Sequence, residues 1–279
     1  MKLAFFDNYR LGVIDGERVF DAQQAVQEFG QQSPQALLEM LITSWAEMAP
    51  RLASAIAGQA GQPLTAVNWC PPVPRPGQLV CAAVNYIEEN RPDRGPFNAF
   101  LKATSSLLGS GGTVELPPAE ATVFHFEPEL ALVIGKRASR IKAEEAMDYI
   151  FGYTHFMDVS ARGLPGGFFL GKSWHTGGPL GPALVTADEI ADPNQLNVKL
   201  WVNDNLRHDF STSLMARHIP ELLAEVTNVM ALEPGDVVAT GTHHEGLAPI
   251  QDGETVRVQI QGLGPALSVK VHDPLKRSW

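Results

Sequence analysis

The sequence predicts a mainly β protein with a few helices, a rolled or barrel-like β domain preceded by a small N-terminal α+β domain. Three observations lead there. Beyond residue 77, short runs of β-forming residues bounded by Gly, Pro, Asn or Asp recur to the C-terminus. Only two stretches in that part, Lys142–Tyr149 and Ile219–Met230, have helical spacing, too few for alternating βαβ units. Between the two parts Pro71, Pro72, Pro74 and Pro76 form a stiff connector that neither continues a helix nor joins a central strand. The boundary is therefore placed between residues 1–70 and 71–279.

In order along the chain, Leu3–Phe6 and Leu11–Ile14 are apolar runs, and Asp15-Gly16 turns the chain into Arg18–Asp21. Residues from about Ala22 to Ala57 read as helical. Ser33-Pro34 supplies a start, and Leu37, Leu38, Leu41, Ile42 and Trp45 an apolar face. After the connector the expected strands are Gln78–Val84, Val123–Ile134, Gly152–Val159, Ala183–Thr186, Asn197–Val202, Asp236–Thr240, Thr255–Ile260 and Leu267–Val271.

Composition narrows the function. Hydrophobic residues at 44% and charged ones at 19% suit a globular chain with a real core. A net charge of −10 without a basic stripe excludes a nucleic-acid partner. Cys70 and Cys81 make neither a disulfide framework nor a metal motif. No signal-like apolar run opens the chain, and none reaches the roughly 18 residues of a membrane span. A cytoplasmic protein without membrane association is the expectation.

The most informative stretch is Phe124-His125-Phe126-Glu127-Pro128-Glu129, which runs on into Leu130–Ile134. Residues i and i+2 of a strand share a face, so Glu127 and Glu129 lie side by side at the mouth of a core strand. Two carboxylates so placed repel unless a cation compensates them. Taken alone the pair is more often a solvated strand edge. Asp158, a single acid near the end of the apolar run Gly152–Val159, would add a third oxygen ligand and leave positions open for substrate. An all-oxygen set points to Mg²⁺, Mn²⁺ or Ca²⁺ rather than zinc. Two further segments have the character of active-site loops: Gly171–Pro182, which carries Lys172, and Pro234–Thr242, where backbone N–H groups around Thr240 and Gly241 could hold a carboxylate.

Glu-x-Glu before Leu-Ala-Leu-Val-Ile-Gly, Gly-Tyr-Thr before Asp-Val-Ser-Ala-Arg, Lys-Ser-Trp-His-Thr before Pro-Leu-Gly-Pro, and Pro-Gly-Asp-Val-Val-Ala-Thr-Gly-Thr follow one another in that order. Together they resemble the fumarylacetoacetate hydrolase family over roughly residues 78–272. The resemblance implies a mixed β-sandwich roll, a homodimer, and metal ligands at Glu127, Glu129 and Asp158. It implies that Lys172 contacts the substrate or its developing charge and that Thr240 holds a substrate carboxylate. Tyr86, Arg162, Gly241 and His243 complete the expected substrate site. The implied substrates are 2-oxo or 1,3-dioxo acids of the acylpyruvate kind. Phe168, Phe169, Trp174 and the His243-His244 pair hint at a ring-lined pocket that fits an intermediate of aromatic-compound breakdown.

One departure bears on the reaction. Hydrolytic members follow an Asn-Tyr pair with a histidine and, three residues later, a glutamate; here Asn85-Tyr86-Ile87-Glu88-Glu89 places Glu89 at the histidine position and Pro92 at the glutamate position. Glu89 is taken as the general base, with Glu88 the alternative. C–C hydrolysis stands first; decarboxylation, isomerisation, a hydro-lyase reaction and a silent metal-binding member remain open.

Overall fold

The computed structural model describes residues 1–279 and shows an eleven-stranded and a five-stranded sheet against each other, with a short two-stranded pairing beside them. The helices Pro34–Thr43 and Trp45–Ile56 lie on the outer face of the largest sheet. At its centre Val123–Ile134 and Ile150–Arg162 run antiparallel through almost their whole length. Both are buried on both faces, which is why each reads in sequence as a nearly continuous apolar run. Val237–Ala239 flanks the first of them and pairs in parallel with Leu79–Ala82, making the sheet mixed. The smaller sheet is ordered Asn205–Ser211, Asn197–Val202, Thr255–Ile260, Leu267–His272, Thr113–Glu115.

The alternation of side chains sorts the core. Leu130, Leu132 and Ile134 pack into the cluster shared with Val198, Val256 and Val258 of the smaller sheet. Ala131 and Val133 point the other way, toward Leu38, Leu41 and Leu52 of the helices Pro34–Thr43 and Trp45–Ile56. Glu127 and Glu129 belong to this second face by parity.

The mainly β fold, with its few helices, is therefore what the sequence predicts. The opening strands and the central ones fall within a residue or two of their expected limits, apart from Gly152–Val159, which extends to Ile150–Arg162. Ala22–Ala57 is not one helix. Ser44 interrupts it, and a 3₁₀ segment, Gln23–Phe29, precedes Pro34–Thr43, whose first turn is capped by Ser33 Oγ accepting from the Ala36 N–H at 3.2 Å. The stretch expected as a helix over Lys142–Tyr149 is 3₁₀ over Ala143–Tyr149. Gly167–Lys172, read from sequence as loop, is a short helix entered through two glycines of positive φ. The proline connector does not divide the sheet: Lys2 and Leu3 pair with Val185 and Leu184, so residues 1–70 extend the same layer as residues 71–279.

Candidate active site

The antiparallel register sets Glu127 directly across from Asp158, and Glu129 follows two residues along the same face. One carboxylate oxygen from each of the three lies within 4.8 Å of the others, and all three residues are buried. Three cations answer them. Lys172, at the end of its short helix, donates at 2.5 Å to Glu127 Oε2 and at 2.5 Å to Asp158 Oδ2. Arg162, four residues beyond Asp158 and again on the same face, pairs with Glu127 Oε1. Lys102 donates to Asp158 Oδ1 at 2.7 Å and to the Lys172 carbonyl.

Electrostatics divides the acids. Burial opposes the Glu127 charge, yet Lys172 and Arg162 outweigh it and bring that carboxyl down to about 2. Glu129 touches no cation. Burial, then the charges of Asp158 and Glu127, push its carboxyl well above the usual range, and its partner is the Gly241 N–H at 2.8 Å. A buried carboxylate so placed keeps its charge only when a cation reaches it. The donor set therefore fits a hard divalent ion.

Gly241 can deliver that N–H because its φ is +83°; a Cβ there would lie 3.1 Å from the Ala82 carbonyl oxygen. Its loop is held by Asn85, whose Nδ2 donates to the Thr240 carbonyl at 3.0 Å and to the Arg217 carbonyl at 3.1 Å. Next to Asn85, Val84 has φ +56°, a strained conformation for a β-branched residue, and it lines the site.

Above the carboxylates is a small cavity of about 80 Å³, bounded by Glu127, Glu129, Arg162, Lys172, Phe168 and His244 among others. Phe168 stacks on Phe100 with centroids 4.5 Å apart, forming one apolar wall. A larger hollow beside Phe97 and Met230 is almost wholly apolar and offers no group for chemistry.

The structure thus brings together Glu127, Glu129, Asp158, Lys172, Arg162 and Gly241. Gly241 differs from expectation in one respect, since its N–H holds the protein's own Glu129 rather than standing free for a ligand. Thr240 and Tyr86 are buried close behind, and Thr240 Oγ1 and Tyr86 Oη lack hydrogen-bond partners. His243 turns away into a ring cluster with Tyr86, His208 and Phe210. Glu89, expected as the base, is exposed and outside the cavity lining; its backbone N–H bonds Glu245. Glu88 instead is buried, with His244 as its partner. Lys102 was missed in sequence. Its only signal is a lone lysine closing the β-like run Ala99-Phe100-Leu101.

A mixed β roll that buries three convergent carboxylates beneath a cavity has the donor set of an oxygen-ligated divalent-metal enzyme. The model of the fumarylacetoacetate (FAA) hydrolase C-terminal region matches residues 78–270, and the chain belongs to that family. The chain is 33% identical over 281 residues to a maleylpyruvate hydrolase of Aquipseudomonas alcaligenes, spanning 95% of this chain and 97% of the relative. The crystal structure of a maleylpyruvate hydrolase from Sphingobium sp. SYK-6 in complex with manganese(II) and pyruvate superposes with a TM-score of 0.88 at 36% identity, covering 98% of this chain and 99% of that one. A bovine mitochondrial oxaloacetate tautomerase is 36% identical over 217 residues, spanning 72% of this chain and 69% of the relative.

Proposed function

We propose that this chain is a divalent-metal-dependent hydrolase that cleaves a C–C bond in an acylpyruvate-like 1,3-dioxo acid. The observation that carries the reading is the convergence of Glu127, Glu129 and Asp158 beside Lys172 and Arg162, with all of these but Asp158 lining one cavity. Glu127, Glu129 and Asp158 would hold the ion, assigned as Mg²⁺ with Mn²⁺ and Ca²⁺ as hard-cation alternatives. When bound there, a divalent cation supplies Lewis acidity toward two chelating substrate oxygens.

The chain's own groups do the rest. Lys172 adds positive charge where the cleaved fragment becomes negative. Arg162, a third exposed, presents guanidinium N–H donors to the cavity and is assigned the substrate carboxylate. The three acids are matched by Lys102, Lys172 and Arg162, so a dication entering the site favours a doubly negative partner. The enolate form of an acylpyruvate is such a partner. Pyruvate, held by the Sphingobium relative, is the product such a cleavage releases. Acids of this type arise when an aromatic ring is opened and hydrated, and that is the proposed metabolic setting, with a homodimer as the working assembly.

The second reading is a tautomerase, isomerase or decarboxylase on a related oxo acid, which needs the same electron sink but no activated water. The surface position of Glu89 and the likeness to an oxaloacetate tautomerase favour it. Incubating the protein with acetylpyruvate and Mn²⁺ or Mg²⁺ separates the two. Hydrolysis yields stoichiometric pyruvate and acetate as the enol absorbance disappears. Unchanged acetylpyruvate together with rapid oxaloacetate enol–keto conversion would replace the first reading by the second, and Mn²⁺ binding without any turnover would leave a silent binder.

A further inference from the structure

Glu88 and His244 lie 156 residues apart in sequence, yet Glu88 Oε1 accepts both the His244 backbone N–H at 2.7 Å and its ring Nδ1 at 2.8 Å. Glu88 is buried, whereas His244 is half-buried and borders the cavity beside Glu127, Glu129 and Lys172. We propose that His244 is the general base of this enzyme, oriented by Glu88, a catalytic pair formed between the loop after Asn85-Tyr86 and the loop after Thr240-Gly241-Thr242. The proposal rests on the hydrolase reading and supplies the proton acceptor it needs.

The geometry assigns the tautomer. A carboxylate only accepts, so His244 Nδ1 carries the proton and Nε2 keeps its lone pair. Two bonds to one oxygen fix both the ring's backbone anchor and its rotation. Arg91 Nη1, 3.9 Å from Glu88 Oε2, faces the other oxygen. Burial works against the Glu88 charge, but the His244 N–H and imidazole outweigh it and hold the carboxyl below its ordinary range, so Glu88 stays ionised beside the imidazole. Glu88 does not touch the cavity and acts through His244; it is a positioning residue.

In the step this allows, water gives a proton to His244 Nε2 as its oxygen bonds the acyl carbonyl carbon. The bond from that carbon to C3 of the pyruvyl unit breaks, and its electron pair passes to the pyruvyl unit as the enolate. His244 returns the proton to C3, giving pyruvate and a carboxylic acid.

Three measurements on the full-length Mn²⁺ enzyme and one on the Mg²⁺ form test this. Acetylpyruvate hydrolysis reads the whole reaction, and exchange of pyruvate C3 protons for deuterium in D₂O reads proton transfer alone. Calorimetry reads Mn²⁺ binding, and ¹⁵N spectra of the Mg²⁺ form read the His244 tautomer. His244→Ala should lose about 10²–10³-fold in both kcat and exchange with Mn²⁺ affinity unchanged. Added imidazole should restore part of the loss, and restore less when Glu88→Gln is added. Glu88→Gln alone should diminish the Nδ1–H signal. Exchange that persists in His244→Ala overturns the proposal, as does a loss matched by lost Mn²⁺ binding or a parent enzyme with no exchange. A parent that exchanges pyruvate protons through His244 but leaves acetylpyruvate intact would refute hydrolysis while keeping the pair.

Discussion

Lys102, its side chain wholly buried, donates to Asp158 Oδ1, while Lys172 takes the other oxygen of the same carboxylate. The aspartate is therefore oriented from both sides before any ligand arrives. Removing one partner of a buried pair leaves an uncompensated charge, which costs roughly 3–5 kcal/mol. Lys102→Met should be destabilised by about that amount in urea denaturation, far more than substitution of an exposed lysine such as Lys270. Equal midpoints for Lys102→Met and the parent would remove this role.

Gly241 ties the Thr240–Thr242 loop to Glu129 of the proposed metal site. An alanine there must hold a φ of +83° and sit 3.1 Å from the Ala82 oxygen and 3.4 Å from Asn85 Cβ. The strain is about 1–2 kcal/mol from the left-handed conformation alone. Because the Gly241 N–H bonds Glu129, the loop shift should also weaken Mn²⁺ binding, by about tenfold. Gly246→Ala, with a φ of +97° but no bond to Glu129, controls for strain without that link. Calorimetric Mn²⁺ affinity unchanged in Gly241→Ala would show that Glu129 does not depend on the loop.

Much of this site could be read before any coordinates because strand periodicity carries it. Glu127 and Glu129 share a face by their spacing, and the motif order brought in Asp158 and Lys172. What spacing cannot supply is the partner across a loop. Glu88 and Glu89 are adjacent acids of one type, and nothing in the sequence says which of them turns inward. That is decided by His244, 156 residues away from Glu88. His243 and His244 pose the same problem, and packing against Tyr86 and Phe210 takes the first out of the site. Asn205–Ser211 is the corresponding case in the fold. Its outer face is so polar, with Asn205, Arg207 and Asp209 exposed, that the β pattern is hidden, and pairing with Asn197–Val202 makes it a strand.

Two core histidines should make stability depend on pH. Burial lowers the imidazole of His155 from 6.5 to about 3, and burial first, then the neighbouring His243, lowers that of His208 from 6.5 to about 4. Neither ring has a hydrogen-bond partner. Between the folded and unfolded values the unfolded chain binds protons the folded one does not. Their contribution is thus complete above about pH 6.5 and is lost as pH falls, through about 4 for His208 and 3 for His155. Each site adds at most about 1.4 kcal/mol per pH unit. His155→Phe and His208→Phe should each flatten the denaturation midpoint between pH 4 and 6.5. Profiles parallel to the parent would mean the rings protonate within the fold.

Lys172 and Glu127 share a hydrogen bond but should respond to substitution in opposite ways. Glu127→Gln removes the charge of a proposed ligand, so Mn²⁺ affinity should fall by about two orders of magnitude or more, affinity in such sites following ligand charge. Lys172 is different. Its ammonium lies between Glu127 Oε2 and Asp158 Oδ2, where its charge repels an incoming cation. Lys172→Met relieves that repulsion and frees both oxygens, so Mn²⁺ affinity should hold or rise, by up to about tenfold for ~1.4 kcal/mol of relieved repulsion. Its kcat should nevertheless drop by about 10²–10³, because the charge proposed to meet the developing enolate is gone. The variant must be kept with Mn²⁺ throughout, since Glu127 and Asp158 would otherwise each lose one of their two cationic partners. Calorimetry and turnover on the same samples decide the matter. If Lys172→Met lost metal binding as Glu127→Gln does, the lysine would be scaffolding for the ligands rather than a charge aimed at the reaction.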